Sequence, residues 1–181
     1  MLGGALGTAS VPILIDEPAL TRLAAAGYRF SEGQTGLVRY RWLLPPAWVA
    51  AATVPARGRN GIEPLCGVGD PTRRFTAVLG VLRGCAEPPH LLVERGAPPS
   101  AQISVFSSRV GAVAERVDRR DGRITVTTVH AVVAGGEPYR FLVAALGPGD
   151  ERDALTTLRT LGAALSLADD LDRSRPLRLG G

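Results

Sequence analysis

The chain has 181 residues, of which 45% are hydrophobic, and this fits one globular domain with a sizeable core rather than a disordered chain. The formal net charge is +4 and all 21 basic residues are arginine. This charge is too small and too widely spread for us to predict specific nucleic-acid binding. Residues 1–10 lack the basic start and long apolar centre of a signal peptide, and no apolar stretch approaches the roughly 20 residues of a membrane span. The sequence therefore predicts a cytoplasmic protein without a membrane span.

Composition divides the chain into three parts. Residues 1–11 are small and glycine-rich, and we expect a flexible arm there. Residues 12–168 carry the periodic apolar patterns and are predicted to form a single α+β domain. Residues 169–181 are rich first in aspartate and then in arginine, and we interpret them as a solvated charged tail.

The first predicted element is a short helix, which Asp16 can cap and which Gly27 follows. A strand is predicted at 37–44, because apolar and aromatic residues alternate there with arginines. One face of this strand carries Val38, Tyr40, Trp42 and Leu44, and the other carries Arg39 and Arg41. The prolines at 45–46 end the strand, since proline cannot donate to a strand ladder.

The centre of the chain alternates between loops and short elements. Residues 50–61 are predicted to form a loop, and 62–68 a strand. Residues 74–82 are nearly all apolar at their centre, which is typical of a strand covered on both faces. The pattern at 91–93 leaves a short strand and a helical turn both open. A helix is predicted from Ser100 to Arg109, with Ser100 as its cap.

The clearest pattern is a meander of three antiparallel strands in 112–146. Asp121–Gly122 and Gly135–Gly136 provide its turns, because these residue types tolerate positive φ. The strand between the turns is rich in β-branched residues, which favour extended structure. A closing helix is predicted over 151–167, where leucines recur at helical spacing on one face.

We find no motif that carries catalytic chemistry, and we name no catalytic residue. The early glycines neither follow a strand nor open a helix, so no dinucleotide-binding motif is formed, and a phosphate loop would need the lysine that the chain lacks. Cys66 and Cys85 are not at zinc-ligand spacing from His90 or His130. We therefore predict no cofactor and no metal. The two cysteines are expected to be separate buried thiols, with a disulfide as the alternative.

A few residues remain as candidates for binding. Trp48 follows a rigid proline pair, so its ring either anchors an interface or packs into the core. Tyr40, Arg39 and Arg41 on the neighbouring strand complete the predicted partner-binding set. His130 lies within a predicted strand, where it is either a satisfied sheet residue or part of a ligand pocket with Tyr40 and Arg41.

Three segments together resemble a known superfamily. They are the Pro-Pro-Ala-Trp sequence at 45–48, the strand at 137–143 and the helix at 151–167. They are similar to the PsbP-like superfamily, whose relatives include Mog-type Ran-binding proteins, DcrB-like bacterial proteins, Eag-type adaptor chaperones of type VI secretion and actinobacterial LpqN-type lipoproteins. The resemblance spans about residues 36–168. It implies an α-β-α sandwich, an antiparallel sheet between helices, that binds a protein partner without catalysis. The lipobox cysteine of the lipoprotein branch has no counterpart near the start of this sequence.

These observations leave three hypotheses for function. The first is a non-enzymatic protein-binding or assembly domain of the adaptor or chaperone type, whose partner is another protein or a second copy of the chain. The second is a small-molecule-binding protein or small enzyme with a pocket between the sheet and the helices. The third is an arginine-driven binder of acidic surfaces. An apolar groove, a closed polar pocket and a contiguous arginine patch, respectively, would distinguish them.

Overall fold

The computed structural model describes residues 17–50, 61–108 and 111–169. In chain order its elements are α1 (Glu17–Ala25), β1 (Arg29–Thr35), β2 (Val38–Leu44), β3 (Val49–Ala50), β4 (Glu63–Gly69), β5 (Thr76–Arg83), α2 (Pro89–Glu94), β6 (Gln102–Ser107), β7 (Ala112–Arg120), β8 (Arg123–Ala134), β9 (Glu137–Pro148), α3 (Ala154–Ala163) and β10 (Leu165–Asp169). The fold is α+β with antiparallel sheets, as the sequence predicts. The predicted arm, most of the predicted loop at 50–61 and all but the first residue of the predicted tail lie outside the described residues.

Seven of the strands form one antiparallel sheet in the order β3-β4-β5-β9-β8-β7-β6. Its last strands in sequence are the predicted meander, in which Val126 of β8 lies opposite Val117 of β7 and Ala145 of β9. In the first turn φ is 51° at Asp121 and 70° at Gly122, which is the geometry that a two-residue hairpin of this type needs. The prediction for 112–146 is confirmed.

A smaller antiparallel sheet has the order β1-β2-β10. The strand predicted at 37–44 is β2, whereas β1 was not predicted because its sequence, RFSEGQT, has no apolar alternation. The helix predicted over 151–167 is too long, since α3 ends at Ala163 and the chain continues as β10. Leu165 and Leu167 are two residues apart, and as a strand both are buried against β2 beside Trp42 and Tyr40. Strand pairing therefore outweighs the helical spacing of the leucines.

The helix predicted to begin at Ser100 is wrong, because residues 102–107 form the strand β6. Ile103 and Phe106 are spaced as on a helix, but the sequence QISVFS also alternates with period two. Pairing with β7 decides between the two, with Ile103 opposite Arg116 and Val105 opposite Ala114. Arg109, the predicted end of the helix, lies outside the described residues.

The main core lies between one face of the large sheet, α3 and the small sheet. Its largest fully buried side chains include Trp42 from the small sheet, Phe141 from the large sheet and Leu158 from α3. The opposite face of the large sheet carries α2. This helix contains residues 91–93, for which the sequence allows either a short strand or a helical turn. Helices therefore lie on both faces of the sheet, but the two faces are covered very unequally.

The α2 side of the large sheet has a small core of its own. Val93 of α2 packs on Ala114 of β7 and Val129 of β8. Arg116 holds the end of this helix in place, since its Nη1 donates to the Val93 carbonyl at 2.9 Å. Because α2 is only 6 residues long, it covers only a part of this face.

Candidate functional site

Trp48, predicted either to anchor an interface or to fill the core, is 6% exposed and belongs to the main core. Its ring centroid lies 6.2 Å from that of Phe75. Ala47 has a φ of 64°, so the chain turns sharply after the two prolines and directs the tryptophan ring inward. The Trp48 carbonyl accepts a hydrogen bond of 2.8 Å from Arg29 Nη2. Trp48 is therefore a core residue in this structure.

The other three residues of the predicted partner-binding set lie on opposite faces of β2. Tyr40 is buried with its ring centroid 6.2 Å from that of Phe141, and burial raises the pKa of its hydroxyl. Arg41 points away from Tyr40, and its Nε lies 2.6 Å from Glu32 Oε1. Arg39 is two residues from Arg41 and therefore lies on that same face. The structure does not bring the predicted set together into one surface.

His130 is buried beneath the end of α3. Its Nε2 lies 2.8 Å from the Gly162 carbonyl oxygen, and burial lowers the pKa of His130 to about 4. The ring is therefore neutral near pH 7, and its N–H donates to the carbonyl. The predicted pocket with Tyr40 and Arg41 is not formed, because Arg41 lies on the far face of β2. His130 instead attaches α3 to the sheet.

A buried ion pair beside His130 was missed in the sequence. Glu115 on β7 accepts a hydrogen bond of 2.9 Å from Arg159 Nε on α3, and both side chains are almost completely buried. Burial raises the pKa of Glu115, although the charge of Arg159 opposes the shift. The sequence does contain a signal for this ion pair. Glu115 lies between Val113 and Val117 on the core-facing side of a strand, where a carboxylate needs a buried partner of opposite charge.

The described residues contain no group of three or more histidine, cysteine, aspartate or glutamate side chains that could hold a metal ion. Cys66 and Cys85 are both free thiols. The Sγ of Cys66 lies 3.6 Å from Ser31 Oγ. The structure therefore contains separate thiols and not the disulfide, but both thiols are only partly buried, whereas the sequence predicts buried ones.

Several arginines surround the turn between β7 and β8. Arg119, Arg120 and Arg123 line an open depression of about 250 Å³ there. Carboxylates neutralise much of this charge, since Arg120 pairs with Asp121 at 3.3 Å. Nearby Arg74 lies 3.8 Å from an oxygen of Asp150 and 3.4 Å from one of Glu151. This end of the molecule therefore carries mixed charge rather than one basic surface.

Exposed apolar side chains are concentrated on the α2 side of the large sheet. Directly paired residues of antiparallel strands point to the same face, so the registers assign each side chain to a side. All the exposed large apolar residues of the described ranges lie on this side: Val49 (56% exposed), Leu91 (42%), Ile103 (36%), Val105 (59%) and Val133 (62%). Isolated exposed apolar residues are common on protein surfaces, whereas Ile103 and Val105 are neighbours on one face of a single strand.

Two of these residues, Ile103 and Val105, belong to β6, which is the outermost strand at one end of the sheet. No described strand pairs with its outer side. The strand carries no charge, no proline and no bulge, and the surrounding residues 96–108 contain no charged residue at all. Natural sheets usually protect an exposed edge with a charge, a proline or a bulge, and β6 has none of the three.

The opposite end of the same sheet is protected in each of these ways. Its outermost described strand is β3 (Val49–Ala50), which lies at the end of a described range. The next strand, β4, begins with Glu63 and Pro64, and its pairing with β5 shifts between Pro64 and Cys66. A charge, a proline and a bulge all oppose the addition of another strand. The two ends of one sheet therefore differ, and β6 is the candidate binding edge.

Comparisons with known proteins give a likeness of fold. No protein-family model matches the sequence, and no curated protein matches it. The structure is similar to the crystal structure of LpqN, a protein of Mycobacterium tuberculosis involved in cell envelope biogenesis, with a TM-score of 0.52 and 12% sequence identity over 81% of this chain and 94% of LpqN. At this identity the likeness shows a shared α+β fold. It agrees at the level of fold with the resemblance seen in the sequence.

None of the helices in the described residues is long and apolar enough to cross a membrane. The cytoplasmic location stays a prediction from the sequence.

Proposed function

We propose that this chain is a non-enzymatic protein-binding domain that takes up an extended segment of a protein partner along β6. The observation that carries the proposal is the outer edge of β6, with which no described strand pairs, together with the exposed side chains of Ile103 and Val105. Backbone groups on a free edge bind an added strand by main-chain hydrogen bonds, and alternate side chains give selectivity. The partner segment is uncharged, with apolar residues at alternate positions that face the α2 side.

An adaptor or chaperone role is the form of this function that we propose. A domain that covers an apolar segment of another protein would protect it until assembly, and such a domain needs an accessible edge rather than a catalytic centre. LpqN is involved in cell envelope biogenesis, and an assembly role for this chain is compatible with that. A pocket for a small ligand has less support, because His130 and Tyr40 are core residues and Arg41 faces away from both.

The experiment is photo-crosslinking in cells of the native host. A benzophenone amino acid at position 105 should give a covalent adduct with a partner protein, whereas the same group at the exposed position Thr156 on α3 should not. The adduct partner is identified by mass spectrometry and purified for binding measurements.

The binding measurements use two matched variants. Val105→Glu should weaken binding of the purified partner at least about tenfold, which corresponds to roughly 1.4 kcal/mol. Val133→Glu makes the same change at a residue of similar exposure on the same side of the sheet, but on an interior strand. It should leave the affinity unchanged. Equal effects of the two variants, or no adduct from position 105, would contradict the proposal.

A further inference from the structure

We infer that β6 also pairs with β6 of a second copy of this chain, about a two-fold axis through Ser104. The inference rests on the proposed function of this edge as a site for strand addition, and it identifies one occupant of the site. In such a dimer the two large sheets join edge to edge into one continuous antiparallel sheet, with α2 of both copies on the same side.

The charge pattern of the edge is the first argument for a second copy. A two-fold axis places a charged residue that lies near the axis close to its own copy, where the like charges repel each other. Residues 96–108 carry no charge, so self-pairing of β6 meets no such repulsion.

The register follows from the alternation of side chains. Opposed residues in an antiparallel pair point to the same face, so a two-fold axis must pass through a residue and not between two residues. An axis through Ser104 places Ile103 opposite Val105 of the second copy, and by symmetry it does so twice. Both pairs lie on the α2 side, where these two side chains are exposed in the single chain.

The neighbouring registers bury less apolar surface. An axis through Val105 pairs that valine with its own copy but places Ile103 opposite Ser107. An axis through Ile103 places Val105 opposite Ala101 and Ser104 opposite Gln102. Apolar cross-strand pairs are the units that stabilise an added strand, so the register about Ser104 is preferred.

The small size of this interface predicts a reversible dimer. One added strand of 6 residues gives an interface at the small end of the range for specific complexes. We therefore expect monomer and dimer to exchange at micromolar concentrations, so that a partner segment can replace the second copy at the same edge.

The test begins with sedimentation velocity of the purified full chain over a range of concentrations. The wild-type chain and Val133→Glu should dimerise, and Val105→Glu should raise the dissociation constant at least about tenfold, because the introduced carboxylates face the apolar side chains and each other across the axis. A chain that stays monomeric at its highest soluble concentration, or a dimer that Val105→Glu leaves intact, overturns the inference.

Disulfide trapping tests the register in a chain with Cys66→Ala and Cys85→Ala. Ser104→Cys should give a covalent dimer after mild oxidation, because directly opposed residues have Cα atoms about 4.5–5.5 Å apart, within disulfide reach. The matched variant Ser107→Cys should not, since its two copies would lie about 20 Å apart. Trapping by Ser107→Cys instead of Ser104→Cys overturns the register.

The two proposals fail in different ways. If the purified chain is monomeric but position 105 still crosslinks to another protein in cells, the dimer is wrong and the proposed function stands. If the dimer forms and no other protein is crosslinked, the edge serves self-association alone and the proposed function is wrong.

Discussion

Trp48 is a residue for which the sequence leaves surface and core both open, and the structure buries it against Phe75. We expect Trp48→Ala to lower the free energy of unfolding by about 3–5 kcal/mol, because it removes a large ring from a packed core. Chemical denaturation measures this change. Val49→Ala, at the exposed neighbouring position, is the control and should cost less than about 0.5 kcal/mol. A melting temperature of Trp48→Ala close to that of the wild-type chain would contradict the buried position.

His130 makes stability depend on pH in a defined direction. The folded chain keeps the ring neutral down to the lowered pKa of about 4, whereas the unfolded chain protonates near the ordinary value of 6.5. Protons therefore bind preferentially to the unfolded chain between these values, and the unfolding free energy falls as the pH is lowered through this window. The loss attributable to His130 is about 3 kcal/mol.

Denaturant titrations at pH 7.5 and pH 4 measure this dependence. His130→Gln removes the titrating group, so the variant should lose less stability than the wild-type chain over the same interval. Parallel losses in the two proteins would show that protonation of His130 does not drive the effect.

At the scale of elements, polar contacts hold α3 on the sheet beside the apolar ones. Arg159→Met should lower the free energy of unfolding by about 3–5 kcal/mol, because it leaves the Glu115 carboxylate buried without its guanidinium. The double variant Glu115→Leu with Arg159→Met should regain most of this loss, since neither charge then remains buried. Thermal or chemical unfolding of the three proteins measures both effects. A double variant no more stable than Arg159→Met would contradict this account.

The elements that the sequence predicts well are those whose signals are local. The strands of the meander were predicted because Asp121–Gly122 specifies a hairpin turn and the flanking residues favour extended structure. The sequence does not predict β6, because its pattern is ambiguous. Ile103 and Phe106 have the spacing of a helix, whereas the alternation in QISVFS equally fits a strand. Only pairing with β7, a contact between segments that share no local signal, separates the two. Leu165 and Leu167 of β10 lie in the helix that the leucine spacing predicts, and here too only strand pairing, with β2, decides the structure.

The candidate site could not be predicted because it depends on the order of strands. Nothing in the local sequence shows that β6 is outermost, since that position follows from where the other six strands of the sheet lie. Residues that do have strong local signals, such as Trp48 and Tyr40, prove to be core residues. The sequence does contain one indication of this edge. Charged residues make up 21% of the chain, but residues 96–108 contain no charged residue.

Across the whole molecule, the large sheet has one well-covered face and one poorly covered face. The small sheet and α3 bury one side, whereas α2 covers the other only around Val93. Every exposed large apolar residue of the described ranges lies on the poorly covered side. The exposed large apolar residues of the described ranges are thus confined to one face, and two of them, Ile103 and Val105, lie at the edge on β6, where an added strand would place its own apolar side chains.

Hydrogen exchange of the whole chain distinguishes the free edge from the interior of the sheet. Amides of β9 have partner strands on both sides, so they should exchange slowly at every protein concentration. Those amides of β6 that point outward have no described partner strand. They should exchange quickly in dilute solution and more slowly as the concentration rises, because the second copy then supplies acceptors. Mass spectrometry at two concentrations measures the difference, and Val105→Glu should abolish it. Protection of β6 that is the same at both concentrations would contradict pairing between copies at this edge.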